Sequence, residues 1–284
     1  MTYDQLLKTA SKKAMQFDKE PEAIKLLLLE LSGLKPHEFF MSLKTEAPFE
    51  FTKLFMEKAD LYIIDHVPVQ HILGYSYFYG HVFKVSDAVL IPRVETEQLV
   101  ENILYYYDKY FTNQHVDVID LGTGSGCIGL SLAKEEPKMS VMLTDISEEA
   151  LKVTKENGKS LGVDVKYSQS DWFEHVTGTF DIIISNPPYI PDFEDVQDIV
   201  KKEPSVALYG GQTGTDYYQH ILKHVTPYMK ERCLIGFEHG YQQKAEIKAF
   251  VGHYLPDAKV IQLKDLQGRD RFTFIGIGDV LKDE

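Results

Sequence analysis

The sequence predicts an α/β protein: a mostly parallel sheet covered by helices, closed by an antiparallel edge and preceded by a small helical bundle. Three observations predict it. Residues 1 to about 75 carry apolar residues at three- and four-residue spacing. From about residue 95 onward, short β-branched runs alternate with helical patterns, as in a parallel sheet covered on both faces. One of those runs, FDIIIS at 180–185, is apolar without alternation, the pattern of a strand buried on both faces.

The elements follow in order. TYDQLLKTASKKAMQF, EPEAIKLLLLELSG and EFTKLFMEKADLYIID read as helices, punctuated by Gly33 and by Lys35-Pro36, in a bundle of four or five. YSYFYGHVFKV and AVLIP, with turn signals at Gly80 and Ser86-Asp87, read as a β-hairpin connector. Next come helix 95–110, strand 116–120, helix 126–135, strand 140–144, helix 147–161, and strands 164–168 and 180–185. Helix 214–231, strand 232–238, helix 241–252 and strands near 258–263 and 271–277 complete the chain. The last two strands lie close together and predict the antiparallel edge. The expected organisation is a bundle at 1–75 that grips a partner or merely stabilises, a hairpin linker at 76–92, and a main domain at 93–284.

Composition narrows the function. The chain has 284 residues, 44% hydrophobic and 26% charged, ordinary values for a soluble globular protein. No apolar run approaches the roughly 18–20 residues that a membrane helix needs. The first residues lack a signal-peptide core, and Cys127 and Cys233 make neither a disulfide framework nor a zinc site. A cytoplasmic protein without a membrane partner or a metal is expected. The net charge of −13 and the lack of a dense basic patch weigh against nucleic acid as substrate and suit a basic partner.

VDVIDLGTGSGCIGLSLA is a strand, a glycine turn and a helix. Gly122, Gly124 and Gly126 allow a tight turn and let backbone N–H groups approach a ligand at the helix N-terminus. The spacing G-x-G-x-G differs from the G-x-G-x-x-G of nicotinamide binders. It resembles the first motif of S-adenosylmethionine-dependent methyltransferases. Asp120 sits at the tip of the strand just before the turn. Asp145, at the tip of the next strand, is placed to accept ribose hydroxyls. Asp171 is a candidate acceptor for an adenine amino group, and Trp172, the sole tryptophan, for the ring's apolar face. Loop, acid and aromatic fall at successive strand ends, where open α/β sheets bind ligands.

The same rim receives Asn186-Pro187-Pro188-Tyr189. Prolines fix their own φ and push the preceding residue towards an extended conformation, so this is a stiff turn. It presents the Asn186 side chain and backbone carbonyls, which are acceptors of N–H groups. A planar amide or amino nitrogen is the substrate that fits. Its lone pair is delocalised, so positioning rather than strong-base catalysis is expected to supply most of the rate. Asn186 Oδ1 and the Pro187 carbonyl would hold its hydrogens, and Tyr189 would pack on its flat face. No catalytic base is expected.

Asn/Asp-Pro-Pro-Tyr resembles the motif of methyltransferases acting on adenine or guanine amino groups and on glutamine amides. The remaining blocks narrow the choice. PVQHILGYSYFYGHVFKVSDAVLIPRVETEQLV, DLGTGSGCIGLSLA, FDIIISNPPYIP, EPSVALYGGQTGTDYY and DLQGRDRF resemble, in order, the release-factor glutamine methyltransferases. The resemblance runs from about Pro68 to the last strand. It implies a Rossmann-like class I methyltransferase domain behind a helical bundle and a hairpin linker. It also implies methyl transfer from S-adenosylmethionine, leaving S-adenosylhomocysteine, to the glutamine of a Gly-Gly-Gln loop in class-1 peptide chain release factors.

Carried over by motif, Gly122, Thr123, Gly124, Ser125, Gly126, Asp145, Ile146, Asp171, Trp172 and Asn186 would hold the cofactor. Asn186, Pro187, Pro188 and Tyr189 would hold the glutamine, with Asn186, Pro187 and Tyr189 catalytic. One departure is Val94 in IPRVETE, where the family usually has proline; Arg93, Glu95 and Thr96 remain. A local change in stiffness is expected there, with the reaction unchanged.

Other signals point elsewhere. His220 and His224 share a helical face but lack a third metal ligand at sensible spacing. Cys127 reads as a small buried residue, with nothing nearby to activate it. The acidic stretch 192–198 is either a solvated loop or a reader of a basic partner. Gly210-Gly211-Gln212 echoes the substrate tripeptide but reads as a glycine-rich active-site loop. The alternative functions are methylation of a nucleic-acid amino group and a binding module without activity.

Overall fold

The computed structural model describes residues 1–283. They divide into two compact units: Met1–Ser76 with Val196–Lys202, and Tyr77–Asp195 with 203–283.

The first unit holds α1 (Tyr3–Gln16), α2 (Pro21–Ser32), α3 (Pro36–Ser42), α4 (Phe49–Ile63) and α5 (Val69–Leu73). Helix α1 starts on a capping box, in which Thr2 Oγ1 accepts from the Gln5 N–H and the Gln5 side chain accepts from the Thr2 N–H. Helix α2 stops at Gly33, whose φ of 65° is left-handed. The apolar spacing converges on Leu6, Ala10, Ile24, Leu27, Leu28, Phe39 and Phe55, all buried, and Ile199 packs on this core. Asp192, Glu194 and Asp195 of the acidic stretch are exposed.

Strands β1 (Tyr75–Phe78) and β2 (His81–Lys84) form the expected hairpin. Tyr79 and Gly80 turn it with φ of 49° and 74°, the two positive angles that match strand twist in a two-residue loop. The AVLIP run adds no strand. It stays irregular and, as shown below, lines a cleft.

The second unit is built on a seven-stranded sheet. Its strands are β3 (Val116–Leu121), β4 (Met139–Asp145), β5 (Lys166–Gln169), β6 (Phe180–Ser185), β7 (Met229–Glu238), β8 (Lys259–Lys264) and β9 (Asp270–Ile277). The order is β5-β4-β3-β6-β7-β9-β8. All neighbours are parallel except those of β9, which runs antiparallel to both β7 and β8. The antiparallel edge is as the sequence predicts.

Helices α6 (Val94–Tyr110), α7 (Cys127–Glu135), α8 (Glu148–Leu161), α9 (Asp216–His224) and α10 (Lys244–Tyr254) cover the sheet. Strand β6 shows why its apolar run does not alternate. Ile182 and Ile184 enter the core under α6 and α7, whereas Ile183 enters the core under α9 and α10. Among the described residues, no helix is long and apolar enough to cross a membrane.

One helix is shorter than predicted. The pattern over 214–231 breaks at His224, a 3-10 turn takes Thr226–Tyr228, and β7 begins at Met229. Pro227 explains the break, because it lacks an N–H and its ring clashes with the preceding helical turn. At Val94 the departure from the family pattern falls on the first residue of α6 and is 70% exposed. Proline is favoured at this helical position because the missing N–H is not needed there.

Candidate active site

The C-terminal ends of β3, β4 and β6 meet the segments 88–93 and 204–207 around one cleft, about 1000 Å³ including its open mouth. Its lining includes Gly122, Thr123, Gly124, Ser125, Asp145, Ile146, Asp171, Trp172, Asn186 and Pro188. The structure therefore brings together most of the residues singled out from sequence. Three stand apart from the lining: Gly126, Pro187 and Tyr189.

The glycine loop is held from below. Gly122, Gly124 and Gly126 have φ of 71°, 58° and 82°, a region open to glycine at no steric cost. A Cβ on Gly126 would lie 2.7 Å from both Leu130 Cδ1 and Thr154 Cγ2, so this glycine serves the packing of α7 on α8. Thr154 Oγ1 donates to the Gly124 carbonyl at 2.7 Å. Asn157 Nδ2 donates to the carbonyls of Ser125, at 2.9 Å, and Lys84, at 3.1 Å. Asn157 Oδ1 accepts from the Lys84 N–H at 2.7 Å. One buried amide thus ties the hairpin to the loop.

Asp120 is fully buried beneath the loop. Its Oδ2 accepts from Thr123 Oγ1 at 2.6 Å and from the Gly129 N–H at 3.1 Å, while its Oδ1 has no partner. Burial pushes its carboxyl up to about 6, against those two hydrogen bonds. A raised acid pKa means that the native state holds the proton more tightly than the unfolded chain. The associated stability is present below the unfolded value and lost as pH rises through about 6. The expected result is that, between pH 4 and 7, wild type loses on the order of 2–3 kcal/mol relative to Asp120→Asn. Urea unfolding of the pair across that range checks it.

Asp145 closes the other side of the loop. Its Oδ2 accepts from the Gly124 N–H at 2.8 Å and its Oδ1 from the Ser147 N–H at 2.9 Å. Burial raises its pKa and the backbone donors oppose the rise. Ile146 follows with half its surface exposed at the cleft. Trp172 has a φ of 48°, rare for a bulky residue. Ser170 holds it there by donating to the Trp172 carbonyl at 2.9 Å and accepting from the His175 N–H at 3.0 Å. The indole packs on Tyr217, with ring centroids 5.0 Å apart. A flat apolar wall therefore faces the glycine loop.

The Asn-Pro-Pro-Tyr turn has a second layer behind it. A Cβ on Gly210 would lie 2.2 Å from the Pro188 carbonyl oxygen, and one on Gly214 2.2 Å from that of Tyr189. Gln243 Nε2 donates to the Tyr189 carbonyl at 2.7 Å, and the Gly210 N–H donates to the Ile190 carbonyl at 2.9 Å. The carbonyls of Tyr189 and Ile190 are thus occupied. That of Pro187 accepts no hydrogen bond among the described residues. Asn186 Nδ2 points to Thr96 Oγ1 at 3.5 Å. The Tyr189 ring lies towards Gly240, and burial pushes its hydroxyl up to about 12.

Cys127 is buried with its thiol pushed up to about 12 by that burial, which is the state of a packing residue. His224 Nδ1 bonds the His220 carbonyl at 2.8 Å. No group of three His, Cys, Asp or Glu side chains among the described residues is arranged to hold a metal.

Residues 102–209 match the family described as Methyltransferase small domain. The release factor glutamine methyltransferase of Bacillus subtilis (strain 168) is 37% identical over 95% of this chain and 96% of its own length. That of Streptococcus pneumoniae is 35% identical over 98% of this chain and 99% of its own. The chain belongs to the release factor glutamine methyltransferase family. Its fold is shared more widely. The T. thermophilus 16S rRNA N2 G1207 methyltransferase, solved with AdoMet and guanosine, is 15% identical with a TM-score of 0.52, over 72% of this chain and 49% of that one.

Within this methyltransferase the sequence reading left out two carboxylates. Glu203 is buried; its Oε2 accepts from the Ile91 N–H at 2.9 Å and its Oε1 pairs with Arg93. It lies inside the quoted block EPSVALYGG, but its partner stands over a hundred residues upstream. Glu238 is also buried, at the end of β7. Its one sequence signal is position: it ends a strand next to the one that carries Asn186.

Proposed function

We propose that this chain transfers a methyl group from S-adenosylmethionine to the side-chain amide nitrogen, N5, of the glutamine in the Gly-Gly-Gln loop of class-1 peptide chain release factors. The observation that carries the reading is the juxtaposition of a glycine-loop cleft with a rigid turn that places Asn186 and Pro188 in its lining, next to a Pro187 carbonyl that accepts no hydrogen bond among the described residues. The cofactor fits what the cleft offers. Buried Ser125 Oγ has no partner and lies in the lining at the glycine loop, where the amino acid end would be received. Asp145 would take the ribose hydroxyls, and Ile146, Asp171 and Trp172 the adenine. Bound S-adenosylmethionine supplies an electrophilic methyl group and leaves as S-adenosylhomocysteine.

The protein's part is positioning. Asn186 Oδ1 and the Pro187 carbonyl accept the two hydrogens of the glutamine amide and hold its plane, so the nitrogen meets the methyl along one direction. Pro188 supplies the apolar surface beside it, and Tyr189, set back from the lining, backs the turn. The extra proton leaves to water once the nitrogen carries the methyl and is acidic. Residues 1–75 serve as the partner-gripping domain, 76–92 as linker and 93–284 as the catalytic domain. The net charge of −13 supports a protein rather than a nucleic-acid substrate, and the reaction belongs in the cytoplasm.

The test is methyl transfer from labelled S-adenosylmethionine to an unmethylated class-1 release factor, its Gln→Ala loop variant, bulk RNA and bulk DNA. Label on the intact release factor alone is expected. Label on nucleic acid alone would replace this reading with methylation of a base amino group.

A further inference from the structure

Glu238 is a carboxylate that the reaction as described does not use. Residues Ser185 and Phe237 are paired in the β6–β7 ladder, so Asn186 and Glu238 stand side by side one step further on. Strand side chains alternate with period two, so both point to the face that bears Ile182, Ile184 and Leu234, under α6. Thr96, in the first turn of α6, is buried there. The Thr96 and Asn186 side chains flank the Glu238 carboxyl and lower its pKa, and Asn186 Nδ2 lies 3.5 Å from Thr96 Oγ1. Glu238 is 2% exposed, and its Oε2 is left without a partner. Its backbone is fixed by Tyr218 Oη, which donates to the Glu238 carbonyl at 2.8 Å.

An asparagine amide has two ends of nearly equal shape. Which end faces the substrate is decided by its hydrogen-bond partners. Thr96 cannot decide, because a hydroxyl both donates and accepts. An ionised carboxylate accepts only. The geometry points to Glu238 as a positioning residue: its carboxylate takes the Asn186 Nδ2–H and so turns Oδ1 towards the substrate nitrogen. This rests on the reading that Asn186 accepts from the glutamine amide. With the amide flipped, Asn186 would offer N–H groups to N–H groups and the substrate would not seat.

The same logic gives a pH dependence. Protonated Glu238 carries an O–H donor, satisfies Asn186 Oδ1 and frees the amide to flip. Burial pushes Glu238 up to about 7. The titratable and charged groups around it are Arg271 on β9, Glu95 on α6, Cys127 on α7, Tyr218 on α9 and Tyr189 on the turn. Arg271 lowers the value and Glu95 raises it. The cysteine and the tyrosines stay protonated across the range, since burial raises all three. Wild-type kcat should therefore rise about tenfold per pH unit up to about 7 and then level off.

The experiment compares full-length wild type and Glu238→Gln, with an unmethylated release factor as substrate, from pH 5.5 to 8.5. The variant is expected to lose about 10- to 100-fold in kcat at pH 8, to lose the acid limb, and to bind S-adenosylmethionine with unchanged Kd by calorimetry. Wild-type kcat with the limb intact in Glu238→Gln would overturn the proposal. So would a loss of cofactor affinity as large as the loss in kcat, which would mean a purely structural role. A second measurement needs no Glu238 variant. The Asn186 side-chain amide resonances of ¹⁵N-labelled wild type, assigned by their absence in Asn186→Ala, should shift with a midpoint near 7. No shift across the range overturns the proposal. If wild type labels no release factor, the glutamine reading fails, and the resonance titration still decides for or against the Glu238–Asn186 bond.

Discussion

Asn186→Ala is expected to lower methyl transfer about 10²- to 10³-fold while S-adenosylmethionine affinity stays within about threefold. The magnitude follows from what is removed. One preorganised acceptor in a water-poor site contributes as much as one donor of an oxyanion hole. The truncation also leaves the Pro187 carbonyl to hold the amide by one hydrogen alone, so the nitrogen can swing out of line. The affinity is spared because the cofactor's partners lie mainly on the other strand ends: the glycine loop after β3, Asp145 on β4 and Trp172 after β5. Single-turnover transfer and calorimetry, measured side by side, separate the two quantities. Equal losses in both would mean that Asn186 shapes the cleft rather than the reaction.

Glu203→Ala is expected to cost about 2–4 kcal/mol of stability, lowering Tm by roughly 5–12 °C, and to weaken cofactor binding about tenfold. The Glu203 side chain is 2% exposed and that of Arg93 38%, so on truncation the arginine regains water and softens the loss. The buried Ile91 N–H regains nothing and carries most of the cost. Cofactor affinity falls because the bond joins two walls of the cleft, residues 88–93 and 204–207. Glu203→Gln keeps an acceptor for Ile91 and should recover at least half of the stability. Thermal unfolding of the two variants with and without cofactor checks both parts. An alanine variant with wild-type Tm would mean that the Ile91 N–H finds another acceptor.

What could be read in advance follows from the range of each signal. The glycine loop, Asp145, Trp172 and the Asn-Pro-Pro-Tyr turn each rest on a strand end that its own neighbours announce, and the alternation of strands and helices places those ends on one rim. The β9 strand likewise shows itself by a short distance from β8. Glu203 and Glu238 are different. Their roles depend on Arg93 and on Thr96 and Asn186, which chain order holds far away, and no local pattern marks a carboxylate as buried. Asn157 reads as an ordinary polar residue of an amphipathic helix, yet its amide joins the hairpin to the glycine loop. The overextended helix at 214–231 has a local cause: Pro227 sits inside a periodic pattern and ends it.

The two glycines seated on the Pro188 and Tyr189 carbonyls bear on how such an enzyme can change its taste for substrates. Neither is near Asn186 in sequence, and neither has a side chain with which to touch anything. In a saturation scan they should nevertheless score as intolerant as the asparagine, because the space a methyl would take is filled by the turn itself. The reactive turn and the loop around Gly210 and Gly214 are in this sense one inherited part. A library that diversifies the first and holds the second constant will sample mostly dead variants, and a graft of the turn onto another scaffold has to carry both strips of chain.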